Sequence, residues 1–266
     1  MKRPEFRLGT TSFILPDDIL PNVRFLAGQV QDIELVLFEV DDDQNNLPDP
    51  PTIQTLREIS HRQDLSYTIH LPLDLKMGSA GDVQHISLIK ARRVIECTRP
   101  LEPWAYVLHL EAREVRNSTD PSELQRWQDQ ACLALEKTIE WVGDPRLLAV
   151  ENLESYPLDF WEPIFEREPV SRCVDIGHLW LGGHDPIPYL ERALPRTRVI
   201  HIHGIGERDH QSLTLVAPTE LERVLNYLID KRYPGVLTME LFGLHDFESS
   251  LETVKSLLKA QEITGE

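Results

Sequence analysis

The 266 residues are 41% hydrophobic and 27% charged, enough apolar material for a sizeable core, which excludes an intrinsically disordered chain. Lys and Arg number 27 against 44 Asp and Glu, so the formal net charge of −17 sets up a field that disfavours nucleic acid and other polyanions over most of the surface. The three cysteines, Cys97, Cys132 and Cys173, are odd in number and form no CxxC pair, which argues against a disulfide framework or a cysteine zinc site and for a reducing compartment. No apolar run follows the basic Lys2 and Arg3, and none approaches the ~20 residues of a membrane helix, so a cytoplasmic protein with no membrane partner is expected.

Eight short β-branched or apolar runs follow one another, at residues 7–14, 33–40, 66–73, 105–112, 147–153, 172–179, 198–204 and 236–243, with segments of helical period between them. After the second run, the acidic and proline-rich stretch 41–51 reads as a long loop, solvated or acting as a lid. After the fourth, Asp120 suits an N-cap, Pro121 the first helical position and Gly143 the helix end. Leu124, Trp127, Cys132, Leu135, Ile139 and Val142 then form one apolar stripe. Pro218-Thr219-Glu220-Leu221 opens another helix with Leu221, Val224, Leu225 and Leu228 on its buried face, and residues 247–260 repeat the pattern. This alternation, with no Gly/Ser-rich linker, predicts a parallel sheet with crossover helices closed into a single (β/α)8 TIM barrel over residues 1–266.

In such barrels the catalytic groups come from the carboxyl ends of the strands. The third run carries His70, the fourth His109 and Glu111, the fifth Glu151 and Asn152, the sixth Asp175 and His178, the seventh His201 and His203, and the eighth Glu240. A single such residue is most simply a satisfied polar group, but six successive strand ends are harder to explain that way. Glu151, Asp175 and Glu240 buried together would repel one another, and a divalent cation removes the conflict. Carboxylate with imidazole suits Zn²⁺, Mn²⁺ or Fe²⁺. Asp175 and His178 are three apart, on opposite faces of an extended strand unless the chain turns at Gly177. His201 and His203 share a strand face; the spacing favours His203, nearer the catalytic end, as a ligand and gives His201 to the core or to a supporting role. The glycine-rich loop 204–213 adds Glu207, Asp209 and His210, read either as ligands or as a solvated loop.

These residues resemble those of the endonuclease IV and xylose isomerase-like superfamily of metal-dependent barrels, over nearly the whole chain. In the endonuclease IV branch three metals are held. The resemblance implies that His70, His109 and Glu151 hold the first, that Glu151 bridges to a second held by Asp175, His203 and Glu240, and that His178 with Asp209 and His210 holds the third. That family separates its loop Asp and His by one residue, whereas Asp209 and His210 are adjacent, so either Glu207 or Asp209 is the loop carboxylate. Within the superfamily, Gly9-Thr10-Thr11-Ser12-Phe13-Ile14, Asp18 to Val23, Ile33-Glu34-Leu35, Phe38-Glu39, His70 to Asp74 and Asp175-Ile176-Gly177-His178 look like the cobamide-remodelling phosphodiesterase (CbiR) family.

That resemblance implies two or three divalent ions, Zn²⁺ or Mn²⁺, and hydrolysis of the nucleotide-loop phosphoester of adenosylated cobamides to a cobinamide phosphate and an α-riboside. Glu151 and Glu240 are then the central catalytic carboxylates, with Glu111 and Asn152 positioning them. The corrinoid needs one electropositive point and a wide apolar mouth rather than a basic groove, and Trp180, Leu181, Phe242 and Leu244 either line that mouth or pack against neighbouring loops. A single-metal sugar isomerase or epimerase, using Glu151, Asp175, His203 and Glu240, is the alternative; an endonuclease IV-like DNA repair enzyme and a non-catalytic binding domain follow.

Overall fold

A computed structural model describes residues 4–38, 40–41, 45–77, 85–110 and 112–264. Eight strands, β1 (Arg7–Thr11), β2 (Asp32–Val36), β3 (Ser66–His70), β4 (Tyr106–Leu108), β5 (Leu148–Glu151), β6 (Ser171–Asp175), β7 (Thr197–Ile202) and β8 (Val236–Met239), pair in sequence order and in parallel, and β8 closes on β1. The helices are α1 (Ile19–Leu26), α2 (Pro50–Gln63), α3 (Ile86–Thr98), α4 (Pro121–Val142), α5 (Glu162–Arg167), α6 (Ile176–Leu181), α7 (Pro186–Ala193), α8 (Pro218–Asp230) and α9 (Leu244–Thr264). None of the described helices is long and apolar enough to cross a membrane.

Every predicted run overlaps one strand of the barrel, with β2, β6 and β7 starting one residue earlier, but the runs extend two to four residues past the hydrogen-bonded ladder. The reason is burial. Ile14, Leu37, Leu71, Leu110, Leu179 and Leu241 remain buried beneath the loops after the chain has left the sheet, so apolar character outlasts strand pairing. The loop read at 41–51 ends earlier than expected, because Asp49 caps α2 by accepting from the Thr52 amide at 2.9 Å and Pro50 and Pro51 form its first turn. Asp41 is held by Lys90 of α3 at 2.8 Å, while residues 42–44 lie outside the described residues. In α4, Asp120 caps the Ser122 amide at 2.8 Å and Gly143 ends the helix in the left-handed region, as the sequence indicates.

Helices and sheet enclose the main core, and a second apolar cluster of Ala105, Val107, Ala149, Cys173 and Val199 fills one half of the barrel interior. The other half is polar: Asp32, Glu34, Thr68 and Thr238 are all fully buried. Burial raises Asp32 to about 7, although the Ser66 hydroxyl donates to its Oδ2 at 2.6 Å. A carboxyl that binds its proton more tightly when folded opposes folding once the unfolded chain ionises, so stability falls from about pH 4 to about pH 7. Urea unfolding should therefore show Asp32→Asn gaining on the wild type by up to about 4 kcal/mol between pH 4 and pH 8. A difference that does not vary with pH would count against a buried, proton-holding Asp32.

A candidate metal centre at the carboxyl end of the barrel

Three adjacent strand ends bring the first donor group together. His109 Nε2 lies 3.2 Å and His70 Nε2 3.6 Å from Glu151 Oε2. Each imidazole is oriented through its other nitrogen: His70 Nδ1 is 3.0 Å from the Leu71 carbonyl oxygen and His109 Nδ1 is 3.2 Å from Asp74 Oδ1. With Nδ1 engaged by the protein, Nε2 is the nitrogen that faces the centre in both.

The other oxygen of Glu151 faces different partners. Its Oε1 is 3.5 Å from His201 Nδ1 and 3.7 Å from His178 Nδ1. Donor atoms of Glu151, Asp175, His201 and Glu240 all lie within 4.8 Å of one another, and so do those of Asp175, His178, His203 and His210. His201 Nδ1 is 3.2 Å from Glu240 Oε2, which is also 3.2 Å from His210 Nε2, and His203 Nε2 is 3.4 Å from Asp175 Oδ1. Asn152 braces the arrangement: its amide donates to the Asp175 carbonyl at 3.0 Å, accepts from the Asp175 N–H at 2.9 Å, and its own carbonyl oxygen is 3.0 Å from His178 Nδ1.

Asp175 and His178 converge because β6 stops at Asp175 and α6 begins at Ile176, with the Asp175 carboxylate accepting from the His178 amide at 2.7 Å. A spacing of three then falls on one helical face. Gly177 matters for space and not for an unusual backbone angle: a Cβ there would sit 2.2 Å from His203 Nε2. Gly177→Ala is thus expected to displace His203 and weaken binding at the Asp175–His178–His203–His210 group by tenfold or more, read as metal retained after gel filtration. Unchanged retention would mean that His203 is not a donor.

The two β7 histidines sit differently from the expectation. Among the described residues, no donor group within 4.8 Å contains both His203 and Glu240; it is His201 that joins Glu151, Asp175 and Glu240. The strand face is shared as predicted, but the deeper residue meets Glu240, the first residue past neighbouring β8, while His203, past the end of β7, lies against Gly177 of α6. In the loop after β7, Gly204 and Gln211 form an antiparallel bridge that holds His210 over the centre, and a Cβ at Gly204 would meet the Ser212 carbonyl oxygen at 2.0 Å. Asp209 pairs with His210 Nδ1 at 3.2 Å and belongs to no donor group, and Glu207 is exposed. Glu111 lies outside the described residues. Two carboxylates to which the sequence assigns no role stand behind the donors: Asp74, the partner of His109, and Glu34, which lies 2.9 Å from His201. Glu34 stands in the alternation Asp32-Ile33-Glu34-Leu35, two acids on one face of an otherwise apolar strand.

Electrostatics favour a charged cluster. Burial alone would push Glu151, Asp175 and Glu240 up, but the imidazoles around them outweigh it and hold all three carboxyls below their ordinary values. Burial likewise opposes charge on His109 and His210, yet the neighbouring carboxylates raise them to about 10 and about 9. Asp175 Oδ2, His201 Nδ1, His203 Nε2 and Glu240 Oε2 are buried with no hydrogen-bond partner. Four converging orphaned donors, each a carboxylate oxygen or imidazole nitrogen, fit divalent cations.

No protein-family model matches the chain, and no curated protein does. Among solved structures, a D-tagatose 3-epimerase-like protein is 18% identical, with 97% of this chain and 99% of that one covered at a TM-score of 0.76. Endonuclease IV from Thermus thermophilus is 18% identical, with 96% and 99% covered at 0.71. A D-psicose 3-epimerase in the presence of D-fructose is 15% identical, with 94% and 98% covered at 0.68. The chain has the fold of a xylose isomerase-like (β/α)8 barrel.

Proposed function

We propose that this protein is a metal-dependent phosphodiesterase with more than one divalent ion, Zn²⁺ or Mn²⁺, acting on the nucleotide-loop phosphoester of adenosylated cobamides. The observation that carries the metal count is Glu151, whose Oε2 faces His70 and His109 and whose Oε1 faces His178 and His201. One carboxylate addressing two histidine sets would serve two ions at once. His70, His109 and Glu151 would hold one ion; Glu151, Asp175, His201 and Glu240 a second; and Asp175, His178, His203 and His210 would supply the donors for a third, with Asp209 orienting His210. The chemistry supplied by such ions, when bound, is activation of water and polarisation of a phosphodiester.

The rim around the centre supports a large ligand with apolar surface. Of the exposed large hydrophobic side chains among the described residues, Phe13, Phe38 and Leu73 closely follow the ends of β1, β2 and β3, and Leu244 opens α9 after β8. Phe38 lies edge-on to His70 at 5.2 Å, and Phe242 lies 5.4 Å from His210 and 6.4 Å from Phe13, so this surface reaches the donors themselves. Trp180, for which the sequence leaves open lining the mouth or packing against neighbouring loops, is half-buried. A small polar sugar has no use for such a rim, and the −17 charge disfavours DNA.

A single-ion sugar epimerase is the second reading, favoured by the Glu151, Asp175, His201 and Glu240 group, which would suffice for it, and by the fold shared with two epimerases. The test is mass analysis of products after metal-replete protein meets adenosylcobalamin, abasic-site DNA and D-fructose. Cobinamide phosphate with a free α-riboside is the expected outcome. Epimerised sugar alone, or incised DNA alone, replaces the proposal with that activity. The His70→Ala, His109→Ala double variant is expected to lose one ion per chain by elemental analysis and at least about 100-fold in hydrolysis; the epimerase reading leaves both unchanged.

A further inference from the structure

We propose that Glu34 is a positioning residue of the metal centre, fixing which nitrogen of His201 faces the ion. The inference rests on the reading of the barrel mouth as a metal centre, and not on the identity of the substrate. Glu34 and His201 are both fully buried, on β2 and β7, and Glu34 Oε2 lies 2.9 Å from His201 Nε2 through the barrel interior. His201 Nδ1 has no hydrogen-bond partner and lies 3.2 Å from Glu240 Oε2 and 3.5 Å from Glu151 Oε1.

An imidazole holding an ion must offer a bare nitrogen, and its other nitrogen must then carry the proton. A carboxylate is an acceptor only, so Glu34 commits Nε2 to N–H and leaves the Nδ1 lone pair to the centre. His70 and His178 are oriented by backbone carbonyls, and His109 by the partly exposed Asp74. Among these four, His201 alone is oriented by a fully buried carboxylate, in surroundings where no solvent screens the pair. Such a partner also makes the imidazole a stronger donor. The role differs from that of Glu151 and Glu240, because among the described residues Glu34 belongs to no donor group within 4.8 Å and reaches the centre through His201.

The test uses the full chain with Glu34→Gln and Glu34→Leu, loaded with zinc. Binding is measured by competition with a chromophoric chelator, zinc content by elemental analysis, and folding by thermal unfolding. One ion is expected to bind about tenfold more weakly in Glu34→Gln, which keeps the acceptor but loses the charge, and up to about 100-fold more weakly in Glu34→Leu. The ion held by His70 and His109 should keep its wild-type affinity. In ¹⁵N-histidine spectra of the zinc-loaded wild type, His201 should carry its proton on Nε2, far downfield. Wild-type affinity in Glu34→Leu, or a His201 proton on Nδ1, overturns the role. Should Glu34→Leu not fold, the Gln variant decides, since an unchanged affinity there overturns it too. Wild-type protein that takes up no zinc overturns the centre and this role with it, whereas normal zinc binding without cobamide cleavage overturns only the substrate.

Discussion

Glu151→Gln is expected to lower phosphodiester hydrolysis by about three orders of magnitude or more and to reduce the metal bound per chain by more than one equivalent. The substitution keeps size and shape but removes the charge shared by the Oε2 side, with His70 and His109, and the Oε1 side, with His178 and His201. Asp175 also faces two histidines, with Oδ1 toward His203 and Oδ2 toward His178, but both of these belong to one donor group, whereas the Glu151 oxygens address different groups. Asp74→Asn is the informative contrast, because Asp74 touches the centre only through His109, so about 10–100-fold is expected. Elemental analysis together with single-turnover hydrolysis reads both variants. If Glu151→Gln loses one ion at most and no more activity than Asp74→Asn, Glu151 does not bridge.

The barrel was legible because its strands are short β-branched runs separated by strong helix signals, as at Asp120-Pro121 and Gly143. Strand ends were not, since residues such as Leu37 and Leu241 stay buried after pairing ceases, and periodicity reports burial, not hydrogen bonds. Donor types were legible for the same reason that they are unusual: ionisable side chains at the ends of apolar runs. How they group was not. Whether His201 or His203 meets Glu240 depends on how far β7 runs beside β8 and where α6 starts, which no spacing within one strand encodes. Glu34 was hidden by distance, because its partner lies 167 residues away on β7.

Removing the ions with a chelator is expected to abolish hydrolysis and to lower the unfolding midpoint by roughly 10 °C for each ion lost, since saturation at a thousandfold excess over Kd contributes about 4 kcal/mol to a chain of this size. The loss should depend on pH with a definite sign. In the metal-free protein, His109 and His210, raised to about 10 and about 9 by buried carboxylates, hold protons that stabilise the cluster. A raised imidazole contributes its full stability below the unfolded value of about 6.5 and loses it as pH rises through the folded value, so metal-free protein should weaken from about pH 6.5 toward pH 10. Ion uptake must expel those same protons, so apparent affinity should climb over that interval. The two trends run in opposite directions, and the gap between the midpoints of loaded and metal-free protein should widen between pH 6 and pH 9. Calorimetric titrations in buffers of different ionisation enthalpy count the protons released directly. A gap that stays constant with pH, with no proton released on loading, would mean that His109 and His210 are not metal ligands, and the acid-rich barrel mouth would then be held together by imidazolium–carboxylate pairs alone.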